Sequence, residues 1–381
     1  MIRSWVLAAS LALSLPQGLR AGQVLALAER PARAPALAQV DLLPDELPGA
    51  VGHSLAFLAR PEAARLYRPR GDGPFSLDRV RRTLERFRDL QTAGLDRRGF
   101  LAAVRDQFEF HPAAGDDRAG GMVFTGYFEP VYDASRTPTD AFRYPLYRRP
   151  PDFQAWPRPH PTRLELVGLD GLQGGQGPLK GLELAWLKDR FQAFLVEVQG
   201  SARLRLPGGE TMTVGNDGVT DHPYVSIGRL LAADGRLSPD RLGLASIAAY
   251  FQDHPEHLGP YLARCSRMAF FRDTRNGPPG GSLQIPITAQ CSVAADPDLF
   301  PPVALALIEL DLPGPDGSIG PRKVQRLVLV QDTGGAIKGP GRLDYFLGSG
   351  PEAGAAAGRL HSRGRAWFLL VKEEAPEDED D

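Results

Sequence analysis

Apolar positions recur at helical spacing between Pro61 and Phe110. In the run that begins at Asp78, Val80, Leu84, Phe87 and Leu90 share one side, and arginines crowd the other. This spacing predicts an amphipathic helix, and residues 99–110 predict a second that ends before Pro112. Beyond Phe110 the pattern changes to short apolar runs broken by glycine and proline. These predict strands at 122–130, 191–198, 303–312, 327–330 and 365–372, and across the segments GGSLQIPI (280–287) and TAQCSVAAD (288–296). Residues 202–214 predict a hairpin turning at Pro207-Gly208-Gly209. Helices are expected at 229–234 and 242–254, the latter stopped by Pro255. Residues 23–50, 133–183, 314–322 and the small-residue stretch 348–358 read as lead-in or connections. The expected class is mainly β with some α.

Composition supports that picture. The 42 glycines and 35 prolines are too many for a helical bundle and suit short strands joined by turns. With 381 residues, 43% of them hydrophobic, the chain can bury a sizeable core and is expected to form two domains. Net charge is −2, and seven acids sit in a C-terminal tail, 373–381, expected to be disordered and solubilising. The rest is only slightly positive, and no basic stripe with interleaved aromatics appears, so nucleic acid is not an expected partner.

Arg3 and the apolar run 5–15 have the form of a secretory leader, with small residues near Ala21-Gly22 as the cleavage region, so residues 1–22 are read as a signal peptide. No cysteine lies near that region, and no lipid anchor is expected. Cys265 and Cys291 either pair as a disulfide or stay unpaired and buried; their separation does not decide it. They and the scattered histidines have no zinc spacing, and no metal or cofactor is expected.

The stretch VLVQDTGGAIKGPGRLDYF, 328–346, carries the candidate chemistry. An apolar strand delivers Gln331 and Asp332 to a turn built on Gly334 and Gly335. A second strand then carries Asp344. Glycines at this density mark unusual dihedrals or close approach by another group. Two carboxylates on flanking strands that share a cleft raise a pKa, and a carboxyl held protonated near neutrality is a general acid for glycoside cleavage. On this local pattern alone, a tight turn with two solvated aspartates is equally open.

The segments GYFEP, VEVQGSARLRL, HPYVSIGRLL, QIPITAQCSVAADP and QDTGGAIKGPGRLDYFLGSGPEAG, in this order across residues 120–372, resemble the membrane-bound lytic murein transglycosylase A family. They also resemble the three-aspartate barrel of peptidoglycan-remodelling proteins, with Asp296, Asp332 and Asp344 as the three. The resemblance implies a double-ψ β-barrel (23–135 and 268–372, with the helical lead-in) and an inserted smaller β-rich domain (136–267). It also implies a groove between them that binds the glycan strand. It implies a murein-degrading lytic exotransglycosylase of the periplasm or the outer-membrane face, acting on the β-1,4 bond between N-acetylmuramic acid and N-acetylglucosamine. The products would be 1,6-anhydromuramic ends. Peptidoglycan strands are the implied partner, with wall-synthesis or division proteins as further candidates.

Within that resemblance Asp344 takes the acid-then-base role, and Asp332 supports it. Thr125, Tyr127 and Glu129 at the end of one strand, Gln199 and Ser201 after another, and Tyr224, Thr288, Ser292, Gly334, Gly335 and Lys338 are the candidate sugar-binding residues. The chain departs from the family pattern at Cys291, Asn216, Thr220-Asp221, Cys265 and Met268, positions that the resemblance assigns to the groove or to packing. The alternatives are a non-catalytic glycan-binding protein, and a hydrolase using water, for which Glu129 is the candidate second carboxylate.

Overall fold

The computed structural model describes residues 26–37, 44–68, 73–117, 119–238, 242–312 and 322–373. The leader, nearly all of the acidic tail and nearly all of the 314–322 loop lie outside the described residues.

Four helices open the described chain: α1 (Leu47–Leu58), α2 (Pro61–Tyr67), α3 (Leu77–Thr92) and α4 (Arg97–Gln107). The Ser76 hydroxyl caps α3 by accepting from the Arg79 amide, and Val80, Leu84, Phe87 and Leu90 are buried as their spacing predicts. The helix expected to reach Phe110 ends at Gln107, because Phe108–Pro112 pairs with the last strand of the chain as β1. Sheet pairing there overrides the helical period.

The barrel comes from β2 (Met122–Glu129), β9 (Ser292–Ala294), β10 (Leu305–Leu312), β11 (Arg322–Asp332), β12 (Arg342–Ser349) and β13 (His361–Val371). Their order is β13-β10-β11-β9-β12-β2, and β2 pairs back to β13, so six strands close into a ring with β1 alongside. Closure leaves these six without a free edge. β11 runs parallel to β9 and β12 parallel to β2, while β9 and β12 are antiparallel. Leu305, Leu307, Val328, Leu343 and Phe368 pack the interior with the apolar faces of α1 and α3.

The second sheet is six-stranded, in the order β4-β5-β3-β6-β7-β8. It comprises β3 (Val131–Ser135), β4 (Tyr144–Tyr147), β5 (Glu183–Leu187), β6 (Ser201–Arg205), β7 (Thr211–Val219) and β8 (Ala269–Asp273). β3 and β8, which the sequence reading grouped with the barrel, therefore lie in this sheet. β6 and β7 form the expected hairpin, with Gly208 and Gly209 at φ +85° and +86° where a Cβ would be strained.

Five helices accompany this sheet: α5 (Arg163–Val167), α6 (Arg190–Gln199), α7 (Ile227–Ala233), α8 (Leu244–Asp253) and α9 (Pro255–Arg264). The run 191–198 was expected as a strand and is helical instead. The Asp189 carboxylate caps it by accepting from the Gln192 amide, and Gly200 ends it in the left-handed region. Ala193 and Val196 face the sheet, while Phe191, Phe194 and Leu195 face α7–α9. Pro255 stops α8 and also starts α9, because proline at the first helical position forfeits only an unbonded N–H. The 348–358 connection is a further helix, α10 (Gly350–Arg359), packed on β2. The segments at 280–296 contribute only the three-residue β9 and an isolated Gly280–Pro286 bridge.

Candidate active site

The two aspartates meet because of β9. Ala294 pairs with Asp332 of β11 on one side and with Asp344 of β12 on the other. The three residues form a row across three strands, which sets the aspartate backbones about 10 Å apart. β12 also pairs Asp344 with Thr125 of β2. Both carboxylates and Thr125 open into a cleft of about 290 Å³ whose far wall comes from α6, Tyr224 and Arg267 of the second sheet's side.

Their environments differ. The Thr125 hydroxyl donates to Asp344 Oδ1 at 2.7 Å. Burial pushes the Asp344 carboxyl up to about 6; the Thr125 bond and the Arg342 charge oppose the rise, and the Asp332 charge adds to it least. Desolvation, more than like-charge repulsion, therefore raises this carboxyl. Asp332 is also raised by burial, but it is heavily bonded. The amides of Ser282 and Thr333 donate to Oδ1 at 2.7 and 2.8 Å, and the Tyr127 hydroxyl donates to Oδ2 at 3.0 Å. Burial and the two nearby carboxylates raise the Tyr127 phenol well above its usual value, so it stays a donor. Tyr127 packs on Phe346, ring centroids 5.1 Å apart, in a small apolar cluster with Ile287, Ala294 and Ile337.

The glycines serve close approach. A Cβ on Gly335 would stand 2.5 Å from Arg267 Nη1 and 3.2 Å from Tyr224 Cβ, and one on Gly334 would meet Ile337 at 2.7 Å. A Cβ on Gly281 would meet the Gln331 carbonyl at 2.7 Å, in the turn that carries the Ser282 amide to Asp332.

Of the expected sugar-binding residues, Thr125, Tyr127, Gln199, Tyr224, Gly334 and Gly335 line this cleft. The other five do not. Glu129 is fully buried, accepts from Ser349 Oγ at 2.6 Å and faces Arg203 Nε at 3.5 Å. Ser201 is buried where β6 begins. Ser292 is buried and donates to Gln331 Oε1, and its own oxygen accepts from the Thr288 amide at 2.7 Å, so both residues hold β9 to β11. Lys338 pairs with Asp296 at 3.1 Å, and the Gly339 amide donates to Asp296 Oδ2 at 2.9 Å. Asp296 thus clamps the glycine loop. Cys265 and Cys291 are free and buried, the second thiol pushed up to about 12 by burial.

The sequence reading missed four charged side chains of the cleft. Arg163 grips Glu197 with bonds of 2.6 and 2.9 Å, and the Ala269 amide donates to the same carboxylate at 2.8 Å. Arg267 stands beside Gly335. Arg342 has a buried Nε with no hydrogen-bond partner among the described residues. Strand alternation could have placed Arg342 on the Asp344 face. Nothing local marks the other three. From this cleft the furrow continues past Gln199 and Phe194 towards Phe128 and Phe191. There it opens into a hollow of about 1230 Å³ between α6, α8, α9 and α10.

Comparison with known proteins points to one family. Residues 123–272 match the model of the MltA specific insert domain, and residues 291–370 match that of the 3D domain. The chain is 33% identical to membrane-bound lytic murein transglycosylase A of Vibrio cholerae over 257 residues, 67% of each chain. It is 31% identical to the Escherichia coli K12 protein of the same name over 258 residues, again 67% of each. A membrane-bound lytic murein transglycosylase from Agrobacterium tumefaciens superposes with a TM-score of 0.72 at 26% identity, covering 90% of this chain and 97% of that one. The structure of E. coli MltA with bound chitohexaose superposes at 0.68 with 25% identity, covering 93% and 96%.

Proposed function

The chain belongs to the membrane-bound lytic murein transglycosylase A family, and from that premise we propose that it cleaves the MurNAc-β-1,4-GlcNAc bond of peptidoglycan with Asp344 as its single acid and base. One observation carries this reading: a carboxyl held near pKa 6 by enclosure, at the floor of a cleft between the barrel and the second sheet.

Thr125 holds Oδ1 of Asp344, so the transferable proton is assigned to Oδ2. That proton passes to the bridging oxygen as the bond to C1 of N-acetylmuramic acid breaks. The C6 hydroxyl of the same sugar closes on C1 and gives its proton to the Asp344 carboxylate. The acid is regenerated, the product is a 1,6-anhydromuramoyl end, and no water is consumed. Asp332, bonded by Ser282, Thr333 and Tyr127, fixes the geometry beside it and adds negative potential. The remaining cleft carboxylate among the described residues, Glu197, is clamped by Arg163, and Glu129 is buried elsewhere. A hydrolase needs a second free carboxylate to activate water. With Glu197 held by Arg163 and Glu129 outside the cleft, the substrate's own hydroxyl is favoured as nucleophile.

Thr125, Tyr127, Gln199 and Tyr224 are assigned to sugar binding, and the chitohexaose complex of the E. coli relative supports a glycan in the furrow. The leader supports export to the periplasm, checked by the mass of the mature chain after secretion. The deciding experiment digests purified sacculi and reads the muropeptides by mass spectrometry. Anhydro-ended products that disappear in Asp344→Asn are expected. Reducing ends would make the protein a hydrolase, and binding to murein without release would make it a glycan-binding module.

A further inference from the structure

Away from the cleft, the junction of α8 and α9 gathers three metal-ligating side chains on four residues, His254-Pro255-Glu256-His257. We propose that His254, Glu256 and His257 bind one divalent transition-metal ion of the zinc type. One atom from each side chain lies within 4.8 Å of the other two. Glu256 Oε1 is the meeting point, 3.5 Å from His257 Nε2 and 3.8 Å from His254 Nδ1. Ligand atoms on a tetrahedral zinc stand roughly 3.3 Å apart, given bonds of about 2.0–2.1 Å. Small side-chain rotations therefore bring the set to coordinating distance.

The backbone holding these groups is fixed. The His254 amide donates to the Tyr250 carbonyl at 2.9 Å, and the His257 amide donates to the His254 carbonyl at 3.1 Å. A partner stands behind the ligands and can orient them. Tyr250 Oη lies 2.7 Å from His257 Nδ1, leaving Nε2 to face the carboxylate. In the tautomer with Nδ1–H donating to the tyrosine oxygen, the Nε2 lone pair is free for the ion; the opposite tautomer, with the tyrosine hydroxyl donating, is the metal-free alternative. The Tyr250 ring also sits 4.9 Å from the His254 ring. Two imidazoles and one carboxylate suit zinc, nickel, copper and cobalt better than magnesium or calcium, and exposure leaves the remaining positions to water. An ion here would pin the end of α8 to the start of α9, whose Phe251 and Tyr261 support the Phe191 side of the furrow.

Zinc titration of the intact chain by calorimetry, with cobalt absorption as a second readout, tests the site. One saturable equivalent is expected, with a cobalt spectrum lacking sulfur charge-transfer bands. His257→Ala should weaken binding more than tenfold. Tyr250→Phe, which keeps all three ligands, should weaken it by about tenfold. Circular dichroism confirms folding of each variant. Absent saturation, binding unchanged in His254→Ala and His257→Ala, or sulfur bands from Cys265 or Cys291 would each overturn the proposal.

Discussion

At the scale of the residue, the proposed chemistry depends on how one carboxyl is solvated. Asp344 has its pKa raised to about 6, so the folded state holds its proton more tightly than the unfolded chain does. In the reaction this predicts kcat/KM constant at low pH and falling tenfold per pH unit above about 6, read from initial rates on sacculi. In stability the sign is the opposite of a salt-bridged aspartate. Its contribution is full below about pH 4 and is lost as pH rises to about 6. Asp344→Asn should abolish product release, a loss of at least about 10²-fold, while stabilising the fold by about 1–3 kcal/mol at pH 7. That gain should vanish near pH 4; a melting series at both pH values checks it. Thr125→Val removes a bond that favours the ionised form, so the alkaline limb of the rate profile should move upward. A limb that stays put would remove Thr125 from the acid's environment.

At the scale of the element, β2 and α10 show how backbone contact positions the side chains. A Cβ on Gly126 would lie 2.8 Å from Ala357 Cα, and one on Gly354 would lie 2.7 Å from the Phe128 ring. The helix therefore rests directly on the strand that carries Thr125 and Tyr127. Gly126→Ala should cost roughly 1–3 kcal/mol by overpacking, measured by denaturant unfolding. It should also lower kcat, because the residues on either side both bond to the aspartates. α6 shows where element reading goes astray. Its aromatic and β-branched residues look like a strand, and only the Asp189 cap and the Gly200 terminus mark the helix. Those two signals were in the sequence and outweigh β-propensity, which is a weak prior.

At the scale of the whole molecule, the site is shared between a barrel and a second sheet. Glu129 links them. It lies buried at the end of β2, accepts from Ser349 on the barrel side and faces Arg203 of β6. Glu129→Ala leaves Arg203 without its partner and opens this junction. The expected loss is about 2–4 kcal/mol of unfolding free energy, with substrate affinity reduced more than kcat. A variant with unchanged stability would show that the junction does not depend on this carboxylate. Barrel closure has a similar point at Gly364, where a Cβ would meet the Glu309 carbonyl at 1.9 Å. Any side chain there would prise β13 from β10.

The sequence by itself determined the mostly β class, the buried face of α3, the β6–β7 hairpin and the aspartate–glycine stretch, because each is written within a few adjacent residues. It also held the ordered motifs by which the family is recognisable. The tertiary structure alone decided that Asp332 and Asp344 flank one alanine, that Arg163, Glu197 and Arg267 wall the cleft, and that Glu129, Ser292 and Lys338 are turned to structural work. Each of those outcomes depends on strands far apart in the chain coming into register. Local patterning fixes which way a side chain leaves its strand, whereas the desolvation that raises the Asp344 carboxyl exists only once both lobes have closed around it.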